Sequence, residues 1–145
     1  MPPDESTTTE RADPGSPSDW LRYARSDLRL SREEQPEGVL SEALCFHAQQ
    51  AAEKAVKAVL VSEGIPVPYI HDIGTLFDRL PKRIEVPPDV RKAVRLTDYA
   101  VFSRYPADLA PVDDEEHRRA VQWAEATVAW AEKHVDAVKE RDDDG

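Results

Sequence analysis

The chain has 145 residues, 40% of them hydrophobic, and a formal net charge of −10. This length predicts one domain, and no apolar run approaches the roughly 18 residues that a membrane-spanning helix needs. The single cysteine, Cys45, excludes an internal disulfide framework and a multi-cysteine metal site, and the five widely spaced glycines form no phosphate-binding loop. Composition therefore indicates an acidic, mostly helical protein, which we expect in the cytoplasm.

Both ends of the chain differ from its middle. Residues 1–17 are rich in Pro, Ser and Thr and contain no apolar stretch, which predicts a disordered tail and no secretory signal. Residues 141–145 predict a frayed acidic end. We therefore expect the helical domain over residues 18–140.

The first helix is predicted to begin near Ser18, a good N-cap residue with an acid directly after it. One side of this helix is apolar, and a stripe of four arginines lies beside it. These arginines either face solvent, paired with Asp27 and nearby acids, or meet an acidic surface such as that of the fifth helix. The stripe consists of Arg22, Arg25, Arg29 and Arg32.

The second helix is predicted over residues 39–63. Apolar residues, many of them alanine, cover more than half of its circumference, which is typical of a helix in the middle of a bundle. Gly64 is a suitable residue to end it. The remaining polar side is a narrow stripe of Gln49, Gln50, Glu53, Lys54 and Lys57.

Three further helices are predicted. The third runs from Ile73 to Leu80 with Asp72 as its N-cap, and the fourth runs from Pro88 or Asp89 to Tyr105-Pro106. The fifth opens on a run of acids at 113–116 and carries a heptad seam of apolar residues over three repeats. A second apolar line on the fifth helix could pack on another chain, because an exposed tryptophan pair is a costly surface; it consists of Trp123 and Trp130.

Two groups of polar residues are candidates for a binding site. His47, Gln50 and Lys54 point the same way on the second helix, so Lys54 could bind a phosphate with the other two as hydrogen-bond partners. The alternative is a boundary histidine with a solvated glutamine and lysine. At the end of the fourth helix, Arg104 could bind a phosphate and Tyr105 could stack on a base, although an arginine at a helix C-terminus is favoured by the dipole alone.

Other chemistry has little support in the sequence. The four histidines show no metal-binding spacing, so we expect no metal site, and nothing indicates a cofactor. No nucleophile lies in a recognisable motif with a base. The acidic net charge disfavours general binding of RNA, although a local basic site is compatible with it.

The second helix carries the motif of a known family. The run from His47 to Leu60, HAQQAAEKAVKAVL, resembles the signature helix of HEPN domains (higher eukaryotes and prokaryotes nucleotide-binding). The pieces His71-Asp72-Ile73, Tyr99-Ala100 and Ser103-Arg104-Tyr105-Pro106 follow in the order and spacing of that family. The resemblance covers roughly residues 19–139.

The resemblance implies an all-α, up-and-down bundle of four to five helices that is usually a homodimer. Bacterial members are commonly encoded beside a minimal nucleotidyltransferase, with which they form toxin–antitoxin or related modules. The resemblance also implies a shared nucleotide site, and it makes one tyrosine a possible site of modification with AMP by the partner. The candidates for the shared site are His47, Gln50, Lys54, Arg104 and Tyr105, and the candidate for modification is Tyr105.

One departure from the family bears on activity. Many HEPN proteins are metal-independent ribonucleases that carry an arginine, four to six residues, and then a histidine. Here Arg104 is followed at those positions by Leu109, Ala110 and Pro111, and no other arginine has a histidine at this spacing. The general acid/base of that reaction is missing, which favours a binding protein over an enzyme.

Three hypotheses follow. The first is a nucleotide-binding HEPN protein that accompanies a separately encoded minimal nucleotidyltransferase. The second is a ribonuclease toxin with a non-standard site built from Arg104 and either His47 or His71. The third is a non-catalytic interaction module whose assembly depends on the tryptophans of the fifth helix.

Overall fold

The computed structural model describes residues 15–100 and 111–144, and within them the chain is all-helical, as predicted. Residues 1–14 of the predicted tail (residues 1–17) and the predicted end of the fourth helix near Tyr105 lie outside the described residues. The helices are α1 (Pro17–Arg32), α2 (Ser41–Ser62), α3 (Ile73–Asp78), α4 (Pro88–Arg91), a 3₁₀ helix (Lys92–Tyr99) and α5 (Asp114–Asp144).

The three long helices α1, α2 and α5 all contact one another, and α2 lies at the centre of the bundle. It also contacts α3 and the 3₁₀ helix. Small side chains allow this close packing, because five alanines of α2 have no solvent exposure. These are Ala48, Ala51, Ala52, Ala55 and Ala58. The predicted central position of the second helix is therefore confirmed.

The start of α1 differs from the prediction, which placed the cap at Ser18. Ser16 caps the helix: its hydroxyl accepts a hydrogen bond from the Asp19 backbone at 3.1 Å, and the Asp19 carboxylate accepts one from the Ser16 backbone at 3.2 Å. Pro17 then occupies the first helical position, where its missing N–H costs nothing. This reciprocal pairing determines where α1 begins.

Two arginines of the α1 stripe meet the acidic fifth helix. Arg25 pairs with Glu132 at 2.5 Å and Arg32 pairs with Glu125 at 2.7 Å. All four side chains are well exposed, so each pair contributes about 0.2–1 kcal/mol. The alternative in which the stripe meets the chain's own fifth helix is confirmed for these two arginines.

The end of α2 and the start of α3 follow the sequence signals, whereas α3 ends at Asp78, two residues before the predicted Leu80. Gly64 has a φ of 73°, and the Ile65 backbone donates to the Leu60 carbonyl at 2.9 Å, which closes α2 with a left-handed residue. Asp72 caps α3 by accepting from the backbone of Gly74 at 3.0 Å. Both predicted boundaries are confirmed.

The predicted fourth helix is a single α-helical turn followed by a 3₁₀ helix. Val90, Ala93, Leu96 and Tyr99 recur at intervals of three, and the first three are buried. A helix with three residues per turn places such residues on one face, whereas an α-helix would spread them. Val94, which the sequence pattern counted among the apolar residues of this helix, is exposed.

Helix α5 buries its heptad seam against the bundle and continues through Asp144, beyond the predicted fraying point at Arg141. The tryptophan line, which could pack on another chain by the sequence pattern, is partly buried against the chain's own core. The Trp130 ring lies 6.1 Å from that of Phe77 in an edge-to-face arrangement, and the guanidinium of Arg95 lies 5.9 Å from the Trp123 ring. None of the helices described here contains an apolar stretch that could cross a bilayer.

Trp130→Ala should therefore destabilise the monomer itself. We expect the free energy of unfolding to fall by about 2–3 kcal/mol, because Phe77 loses its contact with the ring. The loss is smaller than for a fully buried tryptophan, since the Trp130 ring is only half-buried. Urea denaturation measures this, and Trp130→Phe should recover most of the loss. Unchanged stability combined with a lost oligomer would instead support the interaction-module hypothesis.

Candidate functional site

The polar side of α2 is divided into two rows. The buried row, Gln49, Glu53 and Lys57, has exposed fractions of 0%, 3% and 6%. The outer row, His47, Gln50 and Lys54, is half-buried. The polar stripe is therefore not all surface, because α1 and the loop before α3 contact the buried row.

Asp27 of α1 holds two members of the outer row. Its Oδ1 lies 3.0 Å from His47 Nδ1, and its Oδ2 accepts from Lys54 Nζ at 2.6 Å. The Asp27 side chain is 12% exposed, so it is fixed by packing. This role differs from the predicted pairing of Asp27 with the neighbouring arginines. Its signal is its spacing: Asp27 follows Ala24 by three residues on the buried side of α1, and a buried acid needs a partner.

Glu53 is the centre of the buried row. Its carboxylate accepts from Lys57 Nζ at 2.7 Å and from Gln49 Nε2 at 2.8 Å, and it lies 3.0 Å from His71 Nδ1. Burial alone would raise the pKa of Glu53, but the hydrogen bonds from Lys57 and Gln49 outweigh it and hold the pKa below its usual range. Glu53 is therefore a carboxylate at neutral pH.

The side chains of the two rows fall into two hydrogen-bonded groups: His47 and Lys54 share Asp27, whereas Gln50 belongs to the group around Glu53. Gln50 Nε2 donates to Gln49 Oε1 at 2.7 Å, and Gln49 in turn donates to Glu53. Each outer-row side chain thus rests on a partner that is itself buried or nearly buried. This support fixes the outer row in one geometry, as in sites whose ligating groups are held by a second layer of hydrogen bonds.

The arrangement also contains two carboxylate–imidazole pairs. Asp27 holds His47 on the α1 side of α2, and Glu53 holds His71 on the loop side. In both pairs the carboxylate faces Nδ1, and no residue of 15–100 or 111–144 bonds to the outer nitrogen of either imidazole, which can therefore meet a ligand. The His71 side chain is 70% exposed. Asp27 and Glu53 balance Lys54 and Lys57, so the formal charge of the two groups together is zero when histidine is counted as neutral.

Arg104 and Tyr105, the other predicted site residues, lie outside the described residues. The described residues on either side of that segment form a separate group. The Tyr99 hydroxyl donates to Glu116, and burial raises the pKa of that hydroxyl.

Burial also raises the pKa of the Cys45 thiol to about 12, so Cys45 is a protonated thiol rather than a nucleophile. Among residues 15–100 and 111–144, no group of histidine, cysteine and acidic side chains could hold a metal ion.

The protein is a small all-helical bundle, and its central helix carries an outer row of polar side chains that are held by buried or nearly buried partners. A family model of the HEPN domain matches residues 17–134. The chain therefore belongs to the HEPN family, as the motif on the second helix indicated.

Two solved structures are similar along nearly their whole length. TT1696 from Thermus thermophilus is 32% identical, with a TM-score of 0.69 over 81% of this chain and 97% of its own. ST0689, an archaeal HEPN homologue, is 29% identical, with a TM-score of 0.66 over 83% of this chain and 98% of its own. No curated protein is similar enough to this chain to count as a match.

Proposed function

We propose that this HEPN protein binds a nucleotide, or the nucleotide-bearing surface of a partner, at the outer row. The observation that carries the proposal is that His47, Gln50 and Lys54 are each held by a buried or nearly buried partner. Ion pairs of this kind add little net stability. Fixing polar groups in one geometry does, however, lower the entropic cost of binding a ligand.

The outer row offers suitable chemistry for a nucleotide. Lys54 has three N–H donors, of which Asp27 uses one, so the others can reach phosphate oxygens. The Gln50 carbonyl and the outer nitrogen of His47 can bond to base or ribose groups. The exposed Tyr23 ring, whose centroid is 5.9 Å from Lys54 Nζ, offers a face for stacking. Because Asp27 offsets the charge of Lys54, we expect affinity in the micromolar to millimolar range.

The first test is equilibrium binding of AMP and ATP to the purified protein. Lys54→Ala should weaken binding by about tenfold or more, since a charge-assisted hydrogen bond to phosphate is lost. Lys139→Ala is the matched control: it removes an exposed lysine from the far end of α5 and should leave affinity unchanged. Equal affinities in wild type and Lys54→Ala would contradict the proposal.

The partner forms the second part of the proposal. We infer that the protein acts in the cytoplasm as a homodimer and accompanies a separately encoded minimal nucleotidyltransferase in a toxin–antitoxin-like module. Family resemblance supports this, together with the absence of the ribonuclease motif from the sequence. Tyr105 is then the candidate acceptor of AMP, and Arg104 a candidate phosphate ligand of the same site.

Co-expression with the nucleotidyltransferase of the adjacent reading frame tests this part. We expect the two proteins to copurify, and after incubation with ATP we expect an AMP-sized mass increase on the peptide that contains Tyr105. Tyr105→Phe should abolish the increase, while Tyr69→Phe, at a fully exposed tyrosine, should not. Light scattering gives the oligomeric state. No complex and no modification would remove the partner from the account.

The two carboxylate–imidazole pairs favour a second candidate function, a ribonuclease with a non-standard site. One imidazole would take the proton from a ribose 2′-hydroxyl as that oxygen attacks the adjacent phosphorus, and the other would protonate the departing 5′-oxygen. This reaction balances without a metal and leaves a 2′,3′-cyclic phosphate. The net charge of −10 weighs against the affinity for RNA that it requires.

Incubation of purified protein with RNA decides this candidate. Cleavage lost in His47→Ala, His71→Ala and Arg104→Ala, but kept in His134→Ala, would establish the ribonuclease. His134 pairs with Glu63 away from both rows, so its variant controls for contaminating nuclease. Intact RNA after incubation with the wild-type protein excludes the ribonuclease.

A further inference from the structure

A cleft lies between the C-terminal half of α5 and the loop that follows α3. Its volume is about 510 Å³, within the range of small-molecule sites. Its lining combines basic and apolar side chains. The basic ones are Arg83, His134 and Arg141, and the apolar ones are Ile84, Trp130 and Ala137.

Glu63, at the end of α2, contacts all three basic side chains of the lining. Its carboxylate is 5% exposed, accepts from Arg83 Nη2 at 2.5 Å, and lies 2.7 Å from His134 Nε2. Arg141 approaches the same carboxylate at 3.8 Å, which is an ion pair beyond hydrogen-bond length. One buried acid thus gathers three basic side chains from two segments.

The two arginines keep most of their donors for another group. A guanidinium has five N–H donors in a planar fork that suits carboxylate and phosphate oxygens. Arg83 uses one on Glu63, and both arginine side chains are about 60% exposed. Glu85 is the acid in the lining. Together with Glu63 it balances the two arginines in formal charge, so the remaining guanidinium N–H groups, and not a net positive charge, are what would bind an anion.

The Trp130 indole in the cleft is held in place by packing on the core. The Trp130 ring packs edge-to-face on Phe77, which is 5% exposed, and lies 6.3 Å from the His134 ring. Ile84 is half-buried on the opposite loop. A ligand that filled the cleft would therefore contact a fixed indole and an isoleucine while its charged group reached the arginines.

We propose that this cleft binds a small organic anion, with a flat or apolar body and one phosphate or carboxylate group. The arginines bind the oxyanion, and Trp130 and Ile84 take the body. The site is separate from the outer row, and neither site depends on the other.

The test titrates the protein with phenyl phosphate and with benzoate while the indole N–H resonances are followed by NMR. Trp130→Phe assigns the Trp130 signal. We expect saturable shifts of this signal with at least one of the two anions. Inorganic phosphate and benzyl alcohol, which each carry half of the proposed chemistry, should bind about tenfold more weakly or worse.

Two variants and their controls locate the site. Arg141→Gln and Ala137→Glu should each weaken binding by about tenfold, the first by removing the charged guanidinium group and the second by adding a negative charge to the lining. Arg119→Gln and Ala129→Glu make the same changes at exposed positions of α5 outside the cleft and should have no effect.

Several results would overturn the proposal. They are the absence of saturable shifts up to about 10 mM ligand, equal binding of inorganic phosphate or benzyl alcohol, and full affinity in Arg141→Gln or Ala137→Glu. Any of these would leave Glu63 and its basic partners as a staple between α5 and the loop. Because ATP binding at the outer row is measured with other variants, failure here and failure there are distinguishable.

Discussion

Replacing Glu53 by alanine is expected to lower the free energy of unfolding by about 3–5 kcal/mol. The Lys57 side chain is 8% exposed, and Glu53 is the carboxylate that accepts from its ammonium group. Without Glu53, that ammonium group stays buried with no charge partner, and Gln49 and His71 lose an acceptor as well. Such a loss is large against the roughly 5–15 kcal/mol that stabilises a typical domain.

Urea denaturation of Glu53→Ala measures this loss. Glu140→Ala, which removes an exposed glutamate of α5, should stay within about 0.5 kcal/mol of wild type. The double variant Glu53→Leu/Lys57→Met replaces the ion pair by apolar side chains, and it should be more stable than Glu53→Ala alone. A double variant as unstable as the single one would show that the cost does not arise from the unpaired lysine.

The acid dependence of stability gives an independent check on Glu53. Its pKa in the folded protein lies below the ordinary value of 4.5, so its contribution is fully present above that pH. The contribution is lost as the pH falls through the folded-state pKa. The difference in stability between wild type and Glu53→Gln should therefore shrink as the pH falls below about 4.5. Glu63, whose pKa is also lowered, leaves some acid dependence in both proteins.

Leu60→Ala is expected to have an effect of similar size, about 3–5 kcal/mol. Leu60 is fully buried on α2 and is among the largest side chains without exposure. Its removal leaves a cavity next to a helix that already consists largely of alanine, so few long side chains are near enough to fill it.

Leu30→Ala provides the matched control for Leu60. Leu30 is 46% exposed on α1, so its loss should cost less than about 1 kcal/mol. Chemical denaturation of both variants gives the comparison. Equal losses would show that the bundle relaxes around α2, which would contradict the close packing described here.

The sequence predicted the helices well because their signals are local. Caps, prolines and the period of apolar residues located α2, α3 and α5 without reference to any neighbour. One boundary and one helix type differed from the prediction where a second signal competed. At the start of α1, the pair formed by Ser16 and Asp19 outweighed Ser18, and in the fourth helix a period of three produced a 3₁₀ helix.

The candidate site was predicted only in part, because burial depends on partners that are distant in sequence. The spacing of His47, Gln50 and Lys54 on one face was correct. The spacing could not show that Gln49, Glu53 and Lys57 are covered, since the cover comes from α1 and from the loop at His71. The partner of Lys54 lies 27 residues earlier, at Asp27. A charged residue inside the apolar stripe of α1 is the sequence signal that would have identified Asp27 as this partner.

The central claim is that the outer row binds a nucleotide, and chemical-shift mapping with ATP tests it most directly. Backbone amide resonances of the wild-type protein are followed as ATP is added. We predict saturable shifts concentrated around residues 47–54 of α2 and residues 23–27 of α1. Shifts confined to the cleft at Trp130, or no saturable shifts at all, would contradict the claim.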